Sequence, residues 1–419
     1  MKFIIDGSKK LAGEIEVRGS KNATTPILAA TILSEKRIVL KNVPLIKDCL
    51  TMLDILKSMG SEIVWISKNS VSINNKNLDP KKLNQELVSK IRSSLLIVGP
   101  MLARFGEVTI ATPGGCVIGA RPIDTHLEAF RSLGAEVSFN EKNGAHNIKL
   151  SKVSKNLVIL REASVTGTES VMMLGFKYAF EIRNAAMEPH VVALGNFLKK
   201  LGVKMSGLGT YAVTIVPAKD KPKEINFSII NDEIEMGTFA ILGAATRSKI
   251  TISGIIPEHL DLTLEKLREM GVVFEISGDK MIIDGPKCDL KSAKIEARPY
   301  PGLPSDLQAM FSVLATQAKG SSLIFDTLYE GRLKYLEELK KMGAEATILD
   351  PHRAIITGPT ILYGTEVTSL DLRAGATLII AALVAKGRST LGNAEQIDRG
   401  YEKIDERLTK IGADIKREE

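Results

Sequence analysis

An amphipathic helix ending in an apolar residue, a glycine and a small residue, then a short strand, recurs six times along this chain. The endings are Met59-Gly60-Ser61, Leu133-Gly134-Ala135, Leu201-Gly202-Val203, Met270-Gly271-Val272, Met342-Gly343-Ala344 and Ile411-Gly412-Ala413. A period of about 70 residues is too long for a solenoid repeat and suits a supersecondary unit with its own helices and sheet. Apolar residues precede the glycines at helical spacing: Leu127, Phe130 and Leu133; Leu260, Leu264 and Leu267; Tyr401, Ile404, Leu408 and Ile411. Each glycine supplies the helix C-cap, where a left-handed backbone is cheap only without a side chain.

Upstream of these endings lies a second, more apolar helix, read at Ala23 to Leu33, Ser94 to Ala103, Met236 to Ala245, Leu307 to Ala318 and Ala374 to Lys386. Helices apolar on nearly every face belong at the centre of a domain. Short β-branched runs at Arg37 to Leu40, Val108 to Ile110, Lys249 to Ile252 and Ser322 to Phe325 supply strands. The fold class is therefore α/β, with six similar units, helices inside and sheets outside, grouped as two domains of three. The polar stretch Pro217 to Glu224 marks the break. Lys2 to Arg18 read as strands that join the second half. The expected lobes are 22–229, and 1–21 plus 230–419. A cleft between two similar lobes is a common place for a ligand.

Composition narrows the function classes. Three cysteines without paired spacing and five scattered histidines, none in an HxxxH or HExxH pattern, argue against a disulfide framework and a protein-held metal. No run approaches the roughly 20 apolar residues of a membrane helix, and no signal-like start is present, so the cytoplasm is the expected compartment. A net charge of +7 without basic blocks, and 5% aromatics, speak against nucleic acid as partner and for a small polyanionic substrate.

The loop Pro113-Gly114-Gly115-Cys116-Val117-Ile118-Gly119-Ala120-Arg121-Pro122 holds three glycines, two bracketing prolines, one thiol and one guanidinium. Such a loop can close over a ligand and deliver sulfur together with an anion-binding fork. Read alone, it is equally a glycine-rich surface turn.

With this loop, Gly19-Ser20-Lys21-Asn22-Ala23, Pro304-Ser305-Asp306-Leu307-Gln308, Tyr329-Glu330-Gly331-Arg332, Asp371-Leu372-Arg373-Ala374 and Ile397-Asp398-Arg399-Gly400-Tyr401-Glu402 follow in order. In these six segments, and along its whole length, the chain resembles the UDP-N-acetylglucosamine 1-carboxyvinyltransferase family of enolpyruvyl transferases. The resemblance implies a two-domain inside-out α/β barrel whose lobes close over both substrates. It also implies transfer of the enolpyruvyl group of phosphoenolpyruvate to the sugar 3-hydroxyl with release of phosphate, opening peptidoglycan synthesis. No cofactor is implied, and a monomer without a membrane partner is expected.

By that resemblance Cys116 is the proton donor and can form an adduct with phosphoenolpyruvate, Asp306 is the base on the sugar hydroxyl, and Lys21 and Arg399 assist catalysis. Lys21, Asn22, Arg121, Arg332, Arg373 and Arg399 hold phosphoenolpyruvate, whose phosphate and carboxylate suit several fixed cations. Asn22, Arg92, Arg121, Pro122, Ile123, Asp124, Thr125, Ser164, Val165, Asp306 and Leu328 hold the UDP-sugar. Asp306 is equally read as a helix N-cap, and Glu330 as orienting neighbouring arginines. His126 is read as solvent-facing or capping, Cys49 as lying on an apolar helix face and Cys288 in a polar loop.

The chain departs from the family pattern at Glu162, usually lysine, at Glu233, usually arginine, and at His190 and Ala193, usually acidic. A glutamate beside a diphosphate reverses a favourable charge. The departures keep two alternatives open: the same chemistry on a different uridine nucleotide or UDP-sugar, and a catalytically silent UDP-sugar-binding regulator.

Overall fold

Six sheets carry the six repeats, five with four strands and one with three, in a computed structural model that describes residues 1–114, 119, 122–142, 144–217 and 224–419. Met1–Arg18 and Asn231–Glu419 form one compact unit, the terminal unit. The described residues from 19 to 230, apart from Gly119, form the other, the central unit. All six sheets are open, so "barrel" describes a grouping of repeats and not a closed strand ladder.

The central unit contains α1 (Lys21–Ala30), α2 (Lys47–Ser58), α3 (Gln85–Lys90), α4 (Val98–Phe105), α5 (Asp124–Ser132), α6 (Val165–Leu174) and α7 (Pro189–Lys200). Its core helices are α1, α4 and α6, with α6 packed against both others. The terminal unit contains α8 (Glu233–Ala245), α9 (Asp261–Glu269), α10 (Ser305–Thr316), α11 (Tyr335–Lys341), α12 (Leu372–Val384) and α13 (Ile404–Lys410). Here α8, α10 and α12 pack on one another in the core. Every residue of α8 is buried, as its EIEMGTFAILGAA sequence, apolar on nearly all faces, demands. Gly237 makes room in it: a Cβ there would come within 2.6 Å of the Leu307 side chain on α10.

Each four-stranded sheet combines one parallel pairing with antiparallel ones. Residues from distant parts of the chain complete them. Ala12–Glu16 lies parallel to Lys249–Ser253, and Lys2–Asp6 lies antiparallel between Arg388–Gly392 and Asp414–Glu418. Ile225–Ser228 likewise lies parallel to Ile38–Lys41. Most of the expected polar break, 218–223, falls outside the described residues, and the chain changes unit at Ile230 and Asn231.

Two sequence expectations need correction. The reading of Ser94 to Ala103 as one helix becomes a 3-10 turn, Arg92–Ile97, followed by α4. The third repeat has a core helix, α6, which the apolar pattern did not reveal because Thr166, Thr168, Glu169 and Ser170 interrupt it. Cys288 lies in a loop, as read, and is buried there, with its sulfur accepting from the Val273 amide at 3.2 Å.

The six repeat glycines, Gly60, Gly134, Gly202, Gly271, Gly343 and Gly412, all take left-handed φ, from +77° to +103°. Two of them separate conformational strain from collision. At Gly412 the nearest atom to an added Cβ is the Lys10 carbonyl oxygen at 3.6 Å, whereas at Gly271 the Cβ would land on the Asp289 carbonyl oxygen. Gly412→Ala is expected to cost about 1–2 kcal/mol, the left-handed penalty alone, and Gly271→Ala clearly more. Urea denaturation followed by circular dichroism measures both, and equal losses would contradict the collision.

Candidate active site

Three core helices of the terminal unit begin with acidic residues. Asp232 caps α8, accepting from the Ile234 and Glu235 amides at 2.8 and 3.0 Å. Asp371 caps α12, accepting from the amides of Arg373 at 2.7 Å and Ala374 at 3.1 Å. Asp306 stands in the first turn of α10, whose N-cap is Pro304. The reading of Asp306 as an N-cap is thus corrected: its carboxylate reaches sideways to arginines, while the helix dipole favours its charge.

Those arginines are Arg332 and Arg373. Arg332 Nη2 donates to Asp306 Oδ1 at 2.9 Å, and Arg373 donates to Oδ2 through Nε at 3.0 Å, with Nη2 at 2.8 Å. Arg332 is fixed from behind: its Nε donates to Ser305 Oγ at 3.1 Å, and Ser305 donates to Asp326 Oδ2 at 2.6 Å. Asp326, fully buried, is itself held by the Leu328 and Tyr329 amides, each at 2.9 Å. Aromatic faces complete the walls, with Arg332 over Tyr329 at 5.3 Å and Arg373 over Tyr401 at 5.4 Å.

Burial opposes the charge of both arginines, yet Asp306 and its acidic neighbours outweigh it and hold both above their ordinary pKa. Asp232 moves the other way: burial and repulsion from Glu233, partly offset by Arg373, raise its carboxyl to about 6. Arg399 is half-buried on the 3-10 turn Ala394–Arg399, its Nη1 3.4 Å from Gln396 Oε1. Leu328 is exposed. Cys116 and Arg121 lie outside the described residues. Of the loop centre, Gly119 is described: its φ is +135°, and a Cβ there would strike the Glu330 carboxylate.

The central unit gathers a second set. Gly19 approaches the Asn42 carbonyl too closely for any side chain, which places Ser20 as the cap of α1 and Lys21 and Asn22 in its first turn. Pro26, inside α1, has no N–H to give the Asn22 carbonyl. Arg92 Nη2 donates to the Pro122 carbonyl at 2.9 Å, and Thr125 Oγ1 donates to Glu162 Oε1 at 3.1 Å. Ser164 caps α6 by accepting from Gly167 N at 3.2 Å, and a Cβ at Gly167 would touch both Ser164 and the Thr125 methyl. Arg92, Pro122, Thr125 and Ser164 therefore share one neighbourhood, while Asp306 and Leu328 belong to the terminal unit.

His126 is neither solvent-facing nor a cap. It is buried, its Nε2 sits 2.9 Å from Thr166 Oγ1, and burial with Arg92 nearby lowers its pKa to about 3. Sequence reasoning missed Asp326, the anchor behind Arg332, whose only signal was an aspartate ending a strand. It also missed Glu169 on α6. Among the described residues no group of three His, Cys, Asp or Glu side chains could hold a metal ion, and no helix is long and apolar enough to cross a membrane.

The family model for EPSP synthase (3-phosphoshikimate 1-carboxyvinyltransferase) matches residues 5–408. Fold agrees: the enolpyruvyl transferase NikO from Streptomyces tendae superposes with a TM-score of 0.89 at 22% identity, covering 99% of this chain and 98% of that one. EPSP synthase from Acinetobacter baumannii gives 0.76 at 19% identity over 100% of both chains. The class is that of the carboxyvinyltransferases. Sequence relatives are nearer. UDP-N-acetylglucosamine 1-carboxyvinyltransferase of Bradyrhizobium diazoefficiens is 40% identical over 100% of this chain and 98% of its own. UDP-N-acetylglucosamine 1-carboxyvinyltransferase 1 of Carboxydothermus hydrogenoformans is 42% identical over 99% and 98%. The chain belongs to this UDP-N-acetylglucosamine 1-carboxyvinyltransferase family.

Glu169 gives a test of the central unit's electrostatics. It is 1% exposed, and its Oε1 receives no hydrogen bond among the described residues. Burial, aided by repulsion from Glu188 and only partly offset by attraction to His190 and Lys21, raises its carboxyl from 4.5 to about 8. In that interval the folded chain keeps a proton that the unfolded chain has lost, so stability falls as pH rises through it. Glu169→Gln is expected to flatten this slope and to be the more stable protein at pH 8, by a few kcal/mol at most. Thermal melts from pH 5 to 8 measure it, and parallel curves for the two proteins would refute it.

Proposed function

We propose that this chain transfers the enolpyruvyl group of phosphoenolpyruvate to the 3-hydroxyl of UDP-N-acetylglucosamine and releases phosphate, the entry step of peptidoglycan synthesis. What carries the reading is the buried Arg332–Asp306–Arg373 constellation in a chain about 40% identical, along its whole length, to transferases of that name. Two fixed guanidiniums match a donor with a phosphate and a carboxylate, and bidentate contacts orient it. Lys21, Asn22, Arg121 and Arg399 add further donors in this reading. Arg92, Pro122, Ile123, Asp124, Thr125, Ser164, Val165 and Leu328 hold the nucleotide sugar.

The chemistry is addition followed by elimination. Cys116 gives a proton to the methylene carbon of the donor, Asp306 takes the proton of the sugar hydroxyl, and the sugar oxygen bonds to the central carbon. Phosphate then leaves, and a proton of the methyl group so formed returns to the Cys116 thiolate, which restores the double bond. The thiol's protonation is tuned by neighbouring cations. The chain acts in the cytoplasm as a monomer in this proposal.

A second reading, a different UDP-sugar as acceptor, is favoured by Glu162, whose carboxylate engages Thr125 at the start of α5. One assay separates the readings: phosphate release from phosphoenolpyruvate across a panel of nucleotide sugars. Release that requires UDP-N-acetylglucosamine is expected, and release only with another acceptor would transfer the assignment. In the same assay Cys116→Ala is expected to lose about 10²–10⁴ in kcat, the range for a general acid. Full turnover would remove Cys116 from the mechanism.

A further inference from the structure

The members of the arginine–aspartate cluster differ sharply in exposure. The side chains of Arg332 and Arg373 are 5% and 3% exposed, whereas that of Asp306, which bridges them, is 28% exposed. The Arg332 guanidinium is fixed from behind by Ser305 and Asp326, and that of Arg373 lies over the Tyr401 ring at 5.4 Å. The carboxylate is the solvent-facing piece, so an anion arriving at either arginine meets Asp306 first.

We propose that Asp306 is the built-in occupant of an anion cradle, and that the anionic end of the donor displaces it from Arg332 and Arg373. Withdrawing the carboxylate with nothing in its place would take from two buried guanidiniums the carboxylate that hydrogen-bonds both, which is costly. Exchange for a phosphate or carboxylate keeps every guanidinium paired. It also frees Asp306 to act as base: the acceptor's O–H bond breaks, the proton passes to the Asp306 carboxylate, and the electron pair stays on oxygen. Donor binding and activation of the base thus become one event. The proposal rests on the function given above, because it names the ligand of that same site.

Competition has a measurable signature, since an occupied site weakens apparent affinity by the fraction of time it is free. Calorimetric titration with inorganic phosphate, and separately with phosphoenolpyruvate, compares the native protein with Asp306→Asn. The asparagine variant is expected to bind about tenfold tighter or more. In an Arg373→Lys background, where charge is kept but the fork is lost, the gain from Asp306→Asn should shrink to about threefold or less.

Equal or weaker binding by Asp306→Asn overturns the proposal. So does an undiminished gain in the lysine background, which would mark net charge as the cause. Should Asp306→Asn fail to fold, difference infrared spectra of the native protein with added phosphate serve instead: a shift of a carboxylate stretch is expected, and its absence is fatal. Phosphate release by the native protein with both substrates is measured alongside. Turnover without the affinity gain refutes the displacement alone, and the gain without turnover refutes the assigned reaction alone.

Discussion

Arg332 and Arg373 are almost wholly removed from water, and a buried guanidinium is tolerable only with carboxylates within hydrogen-bond reach. The terminal unit supplies them from three sources: Asp306 in the first turn of α10, Asp371 at the cap of α12, 4.0 Å from Arg332 Nη1, and Asp326 acting through Ser305. Each acid is itself held by a helix start or by backbone amides. Removing one would expose the others' partners, so the cluster stands as a unit and its members are not interchangeable.

The repeated architecture explains why such groups assemble. Core helices apolar on nearly every side carry few charged groups along their length, Glu169 of α6 being one, so charge collects mostly in the first turn. The two units use this in opposite ways. In the terminal unit the caps of α8 and α12 are aspartates, which neutralise the positive helix ends and balance arginines. In the central unit the caps of α1 and α6 are serines, Ser20 and Ser164, which satisfy an amide without adding charge. Helix ends left positive, with Lys21 in the first turn of one, suit an anionic ligand such as a diphosphate.

Much of this was legible in the sequence, for identifiable reasons. Six glycines after apolar stripes announced six helix ends, because a left-handed C-terminal residue is nearly a glycine monopoly. The apolar helices announced the core wherever their pattern was unbroken. α6 escaped, since Thr168, Glu169 and Ser170 are polar by composition yet buried by packing. At the site, Asp306, Arg332 and Arg373 were recognisable from their short motifs, but their mutual contacts were not. Those contacts join positions 306, 332 and 373 through helix starts that periodicity cannot orient. Asp326 stayed hidden because a strand-ending aspartate carries no local signature.

The departures from the resembled family acquire physical meaning on α6 and α7. Glu169 is buried with its charge disfavoured by burial and by Glu188, and His190 acts in the opposite sense. An acid at position 190 would repel the Glu169 carboxylate. The imidazole there instead eases its ionisation. Glu162 is different: it is exposed and engages Thr125, so its negative charge stays partly screened by water. One substitution alters the buried electrostatics around Glu169, and the other alters the surroundings of Thr125. Because the burial differs, the buried exchange at 190 is the one whose electrostatic effect reaches its neighbour, Glu169, with little loss to solvent screening.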